Sequence, residues 1–207
     1  MTIAIDGPAG AGKSTIARAA ARALGYTYID TGALYRGIGV SVTRLGIDTK
    51  DRKAVAACLP VPIDTTDAIR TPEAAIASSQ VAQIPEVRAY LLEIQRDMAR
   101  KEKNCILDGR DIGTVVLPGA DVKVFLTADP EERAKRRWEE QKAKEIDQPY
   151  LKVLAEVLAR DEQDMNRAEA PLRPAGDSVL LDTTRMNLEQ SIQALLEIIH
   201  SKEGINA

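Results

Sequence analysis

Thr2-Ile3-Ala4-Ile5-Asp6 runs directly into Gly7-Pro8-Ala9-Gly10-Ala11-Gly12-Lys13-Ser14-Thr15, and an alanine-rich stretch to Leu24 follows. A short apolar run, a G-x-x-x-x-G-K-S loop and a helix-forming segment make the strand–loop–helix context of a phosphate-binding loop. Each residue type has a physical reason. Glycines let the backbone fold tightly, so that successive N–H groups point inward at an anion. The helix starting near Lys13 adds the positive end of its dipole. Lys13 would reach the β- and γ-phosphates, and the Ser14 hydroxyl would sit on Mg²⁺. Gly7 to Thr15 therefore read as the cradle of a nucleoside triphosphate.

Working outward, 207 residues allow one domain with insertions. Phe125 and Trp138 are the only residues of their kinds, so the core must be aliphatic, as in buried strands covered by helices. The formal net charge of −3 suits neither a nucleic-acid coat protein nor a polybasic membrane binder. Cys58 and Cys105 lack metal-ligand spacing, and Cys105, within an apolar run, reads as a core residue. No apolar stretch is long enough to span a membrane, and no signal-like segment precedes the first strand. A cytoplasmic monomer without nucleic-acid or membrane partners is expected.

Downstream, the pattern alternates. A helix runs from Lys13 to Leu24 and Gly25 stops it; Tyr26–Ile29 reads as a second strand. Asp30-Thr31-Gly32-Ala33-Leu34-Tyr35-Arg36 then places a carboxylate, a hydroxyl and a guanidinium where they build an anion site or a plain helix cap. The middle third is helical: to Leu45, over Asp51–Cys58, from Thr71-Pro72 through Ser79, and on to Arg100 with Arg88 near the start. Pro60–Asp67 reads as a loop or a short extended piece. Cys105–Asp108 is the third strand, and an apolar strand ending in Asp resembles the second NTPase motif, whose Asp holds Mg²⁺ directly or through water. Val122–Leu126 is the fourth.

Asp129-Pro130 opens a helix carrying Arg133, Arg136 and Arg137 on one face, either a solvated basic stripe or a helix closing over phosphates. Lys144–Pro149 breaks it. On the next helix Arg160, Asp164 and Arg167 share a face, as an ion-pair ladder or a receptor for a sugar phosphate. Val179–Asp182 is the fifth strand, and Asn187 caps a last amphipathic helix ending near His200.

The expected fold is α/β: a five-stranded parallel sheet flanked by helices, with helical excursions over its carboxyl edge. The organisation expected is a core of residues 1–30, 104–130 and 176–207, an acceptor lobe of 31–103 and a lid of 131–175. No Asn-Lys-x-Asp guanine reader and no protein-kinase signature set is present. Many arginines with no catalytic His or Cys fit phosphoryl transfer, which needs positioning and charge neutralisation more than an acid–base group.

Six motifs occur in order: Gly-Pro-Ala-Gly-Ala-Gly-Lys-Ser, Asp-Thr-Gly-Ala-Leu-Tyr-Arg, Ser-Gln-Val at 79–81, Gly-Arg-Asp-Ile-Gly-Thr at 109–114, Glu-Arg-Ala-Lys-Arg-Arg at 132–137 and Arg-Asp-Glu-Gln-Asp-Met-Asn-Arg at 160–167. Together they resemble the bacterial cytidylate kinases, over nearly the whole chain. That resemblance implies transfer of phosphate from ATP to CMP or dCMP. It implies that Ser79, Arg88 and Asp111 read cytosine, that Arg160 and Asp164 hold the ribose, and that Arg36, Arg110 and Arg167 hold the acceptor phosphate. It puts Thr31 in the acceptor site and Arg133 and Arg137 in the lid. Lys13, Arg110, Arg133, Arg137 and Arg167 are then the catalytic set, with Ser14 and Asp108 on Mg²⁺. One departure is plain: the family's longer insert before Arg70, an antiparallel hairpin, is reduced here to Pro60–Ile69. Retained chemistry is expected. A kinase for UMP, AMP or shikimate, and a slowly hydrolysing ATP switch, are the alternatives; Asp111 with Ser79 and Arg88 discriminates against the first, the arginine-rich second site against the switch.

Overall fold

The computed structural model describes residues 1–143 and 145–203. Lys144, in the expected helix break, lies outside them. Its organising element is β1 (Thr2–Asp6), whose Ile3, Ala4 and Ile5 have no exposed surface. A β-branched run buried on both faces suits the centre of a parallel sheet. The strand order is β2-β3-β1-β4-β5, with β2 at Thr27–Asp30, β3 at Cys105–Gly109, β4 at Val122–Thr127 and β5 at Val179–Asp182. β1 pairs in parallel with β3 and β4, so Asp6 stands level with Gly109 on one side and Phe125 on the other. The five-stranded parallel sheet is as expected, and the structure supplies its strand order.

Two compact units form: residues 1–28 with 103 onward, and residues 29–102. In the first, α1 (Lys13–Leu24) and α8 (Leu188–Glu203) pack against each other, and their Ile16, Ala17, Ala20, Leu195 and Ile199 join Ile3, Ile5, Ile106, Val124 and Leu126 in one core. Each such Ile or Leu contributes roughly 1.5–3 kcal/mol when fully buried. Asn187 and Gln190 cap α8 reciprocally through their side chains. α6 (Pro130–Ala143) and α7 (Tyr150–Asn166) pair around Ala134, Val153 and Val157, with Trp138 and Tyr150 edge to face at 6.3 Å.

The second unit is helical: α2 (Thr31–Arg44), α3 (Arg52–Ala57), α4 (Pro72–Val81) and α5 (Pro85–Arg100) enclose Ile38, Val42, Val55, Val81, Ile84 and Leu91. Thr71 caps α4 as its Thr-Pro start implies. Residues 60–66 form an irregular strap along α2, followed by a 3₁₀ turn at Asp67–Arg70. Ser41 Oγ donates to the Pro62 carbonyl, and the Asp64 amide to that of Gly37. A single strap thus joins α3 to the 3₁₀ turn.

Besides that 3₁₀ turn, one further element had no counterpart in the sequence pattern. Ile112–Val116 forms a π-helical turn after β3. Among the described residues, no helix is long and apolar enough to cross a membrane.

Candidate active site

The phosphate loop takes its shape from its first residue. Gly7 has φ +152°, and a Cβ there would lie 1.9 Å from the Leu126 carbonyl oxygen, so no other residue fits without moving β4. Gly12, at φ +85°, then turns the chain into α1. Lys13 is buried and its Nζ donates to the Pro8 carbonyl at 2.8 Å. Burial, then the neighbouring Arg110, lowers the Lys13 pKa to about 7, while Asp108, Asp6 and Asp164 oppose the fall. A polyanion entering this loop would favour the ammonium again. Ser14 Oγ donates to Asp108 Oδ2 at 2.6 Å, and Tyr28 Oη to Asp108 Oδ1 at 3.0 Å, so both carboxylate oxygens are held.

A second cluster of the same unit centres on Asp164. Its Oδ2 accepts from Arg110 Nε at 3.0 Å and Arg160 Nε at 3.3 Å, and Arg167 Nη1 lies 3.9 Å from Oδ1. Burial pushes the Asp164 pKa up, but Arg110, Arg160 and Arg167 outweigh it and hold the carboxyl below its usual range. Burial likewise lowers the Arg160 pKa, against the pull of Asp164. Arg167 also reaches Asp111 Oδ1 at 3.4 Å, and Asp111 is itself buried. The spacing had put Arg160, Asp164 and Arg167 on one helical face; Arg167 instead lies just past the end of α7 in extended backbone, where it still approaches Asp164 and Asp111. Arg110 joins them from the end of β3, a long-range contact that no local pattern contains.

The α6 arginines part company, contrary to the single basic face their spacing suggests. Arg133 turns inward: its guanidinium grips both Asp161 oxygens and donates to the carbonyls of Ala128 at 2.7 Å and Ala9 at 2.9 Å. Arg136 donates to Glu132 and to the Thr183 carbonyl. Arg137 is half-buried, 3.8 Å from Glu156. Residues at i, i+3 and i+4 share a helical face only coarsely, and burial against the phosphate loop separates them.

In the second unit, Asp30 accepts from the Ala33 amide and from Arg36 Nη2 at 2.8 Å, so one carboxylate both caps α2 and holds the Arg36 guanidinium. Thr31 is buried at the start of α2. Ser79 lies on α4, and Arg88, on α5, covers the Tyr35 ring at 5.7 Å and donates to the Ala82 carbonyl.

A model of the family described as cytidylate kinase matches residues 3–201. The chain belongs to the cytidylate kinase family. Among its relatives in that family, a cytidylate kinase of Cereibacter sphaeroides is 46% identical over 204 residues, covering 99% of this chain and 97% of that protein. One of Carboxydothermus hydrogenoformans is 45% identical over 222 residues, covering 99% and 100%. The second match is longer than this chain and the first is not, so the family includes members with no long insertion relative to it. A shikimate kinase from Bacteroides thetaiotaomicron shares the fold, with a TM-score of 0.53 at 17% identity over 97% of this chain and 98% of that one.

Within this family frame, three side chains missing from the sequence reading stand out. Asp161 holds Arg133, Tyr28 orients Asp108, and Asp6 accepts from the Ile112 and Gly113 amides. Asp6 carried the same signal that singled out Asp108, an apolar strand ending in a carboxylate. Asp161 and Tyr28 carried none, because their partners are distant in sequence.

Proposed function

We propose that this chain transfers the γ-phosphate of ATP to CMP or dCMP, giving ADP and CDP or dCDP. The observation that carries the reading is in the first unit. A phosphate loop occurs there with an arginine cluster on Asp164, and that cluster reaches the buried carboxylate of Asp111. Transfer between two polyanions passes through a loose transition state, so neutralisation and alignment supply most of the rate.

In this reading the amides of Gly7 to Thr15 cradle the triphosphate and Lys13 neutralises its β- and γ-oxygens. Arg36, Arg110 and Arg167 hold the acceptor phosphate, Arg160 and Asp164 the ribose, and Thr31 belongs to the acceptor set. Arg137 serves the donor side, while Arg133 acts through its bond to the Ala9 carbonyl. Asp111 accepts from the cytosine N4 amine; Ser79 and Arg88 donate to ring acceptors. Uracil presents a carbonyl to Asp111 where cytosine presents a donor, and that repulsion rejects it. Ser14 and Asp108 are hard oxygen donors already 2.6 Å apart, a set that fits Mg²⁺ with phosphate oxygens and water completing the shell. The chemistry Mg²⁺ supplies when bound is offset of charge on the β- and γ-oxygens. A cytoplasmic monomer is the corresponding proposal for the cellular form, since its substrates are soluble nucleotides.

The test is ADP release from Mg·ATP with CMP, dCMP, UMP, AMP and shikimate offered separately to wild type and Asp111→Ala. Fast turnover with CMP and dCMP, slower with UMP, and loss of that preference in the variant is the expected result. Turnover independent of the acceptor would overturn the reading.

A further inference from the structure

Asp6 ends β1 immediately before the phosphate loop, yet its side chain is bonded to the turn that follows β3. Both oxygens accept backbone N–H bonds: Oδ1 from Ile112 and Oδ2 from Gly113, each at 2.7 Å. The carboxylate is buried, 4% exposed for the residue. Those two amides open the π-helical turn of residues 112–116, whose last two amides, Val115 and Val116, bond back to the Asp111 carbonyl. Asp111 therefore sits at the root of a turn that is gripped from β1. The turn is tight on its other side too. A Cβ on Gly113 would lie 3.2 Å from Lys123 Cδ and 3.4 Å from Asp6 Oδ2.

A buried carboxylate with no ion pair among the described residues is a costly way to end a strand. An apolar residue would suit the sheet, but it would leave two buried N–H groups without acceptors. The side chain is short and its two oxygens are fixed by one carbon. It sets the two amides relative to each other and to β1, and so fixes the backbone from which Asp111 projects.

We propose that Asp6 is a positioning residue for base discrimination: by holding the Ile112–Gly113 amides it fixes the direction of the Asp111 carboxylate. This rests on the reading of Asp111 given under the proposed function. A purely architectural Asp6 would support the fold and the phosphate loop alike, with no particular effect on the choice between cytosine and uracil.

The experiment compares kcat/KM for CMP and for UMP, together with KM for ATP, in wild type, Asp6→Asn, Gly113→Ala and Asp111→Ala, with thermal melts to confirm folding. Asp6→Asn keeps the shape but turns an NH₂ toward an N–H. Gly113→Ala loosens the same bond from the turn's side while leaving Asp6 in place. The CMP-to-UMP ratio should fall at least about tenfold in both, the effect of one lost buried hydrogen bond. KM for ATP should stay within about threefold: losing the Asp6 charge withdraws some support from the Lys13 ammonium but also some repulsion from the triphosphate, and the two offset. An unchanged CMP-to-UMP ratio in folded Asp6→Asn overturns the proposal, as do parallel losses for CMP and UMP. Should Asp6→Asn fail to fold, Gly113→Ala decides in the same way. If wild type itself shows no preference, or Asp111→Ala retains it, the base-reading role of Asp111 fails and the proposal fails with it.

Discussion

Arg133 is 3% exposed and bonds to Asp161, Ala128 and Ala9, so a residue that reads as a lid cation is also a brace beneath the phosphate loop. Gly10 is part of the same packing, since its Cβ would lie 3.4 Å from that of Arg133. A buried pair adds little net stability over an apolar pair, but breaking it leaves one charge uncompensated. Asp161→Ala should therefore destabilise the protein by about 3–5 kcal/mol, read from urea unfolding. In the folded fraction, KM for ATP should rise while the CMP-to-UMP ratio holds. A loss under about 1 kcal/mol would show that Arg133 finds other acceptors.

At the level of elements, α2 shows how two glycines let a helix be approached from two sides. A Cβ on Gly37 would lie 2.5 Å from the Asp64 carbonyl oxygen and 2.5 Å from Ile63 Cγ2; one on Gly39 would lie 2.8 Å from Ala77 Cβ. Inside a helix, Gly→Ala normally gains about 1 kcal/mol of propensity. Overpacking against the strap opposes it with a cost of about 1–3 kcal/mol. Gly37→Ala should therefore lower the melting temperature despite better helix propensity. A rise would mean that residues 60–66 move aside freely and that the short connection is not packed. The strap is tied down at both ends: Arg44 pairs with Asp64, and Tyr90 Oη donates to the Val61 carbonyl.

For the whole molecule, the acid response sums carboxylates pulled in opposite directions. Asp6 has its pKa raised to about 6 by burial, with the Ile112 and Gly113 amides and Lys13 opposing and Asp111 adding to the rise. The folded state thus binds its proton more tightly than the unfolded chain, where the value is near 3.8. Stability from this group is fully present below about pH 4 and declines as pH rises toward 6, by about 3 kcal/mol in total. Asp164, held low by its arginines, behaves oppositely: its contribution is present at neutral pH and is lost as pH falls. The unfolding free energy of wild type minus that of Asp6→Asn isolates the first effect. It should fall as pH rises from 4 to 6 and stay flat above 7. A flat difference throughout would place the Asp6 pKa near its ordinary value.

What the sequence determined is whatever depends on neighbours along the chain. The apolar run 2–6 before G-x-x-x-x-G-K-S reads as a strand entering a phosphate loop, and Gly25, Thr71-Pro72 and Asn187 set helix ends by local backbone chemistry. The motif order was enough to identify the family. The tertiary structure decided what depends on residues far apart in sequence. It set the strand order, brought Arg110 to Asp164 across 54 residues and Asp6 to Gly113 across 107, and turned Arg133 from its basic neighbours into the interior. Local periodicity carries no information about which distant backbone amide will need an acceptor. Only the paired strands, by bringing Asp6 level with Gly109, place that carboxylate within reach of the turn that follows.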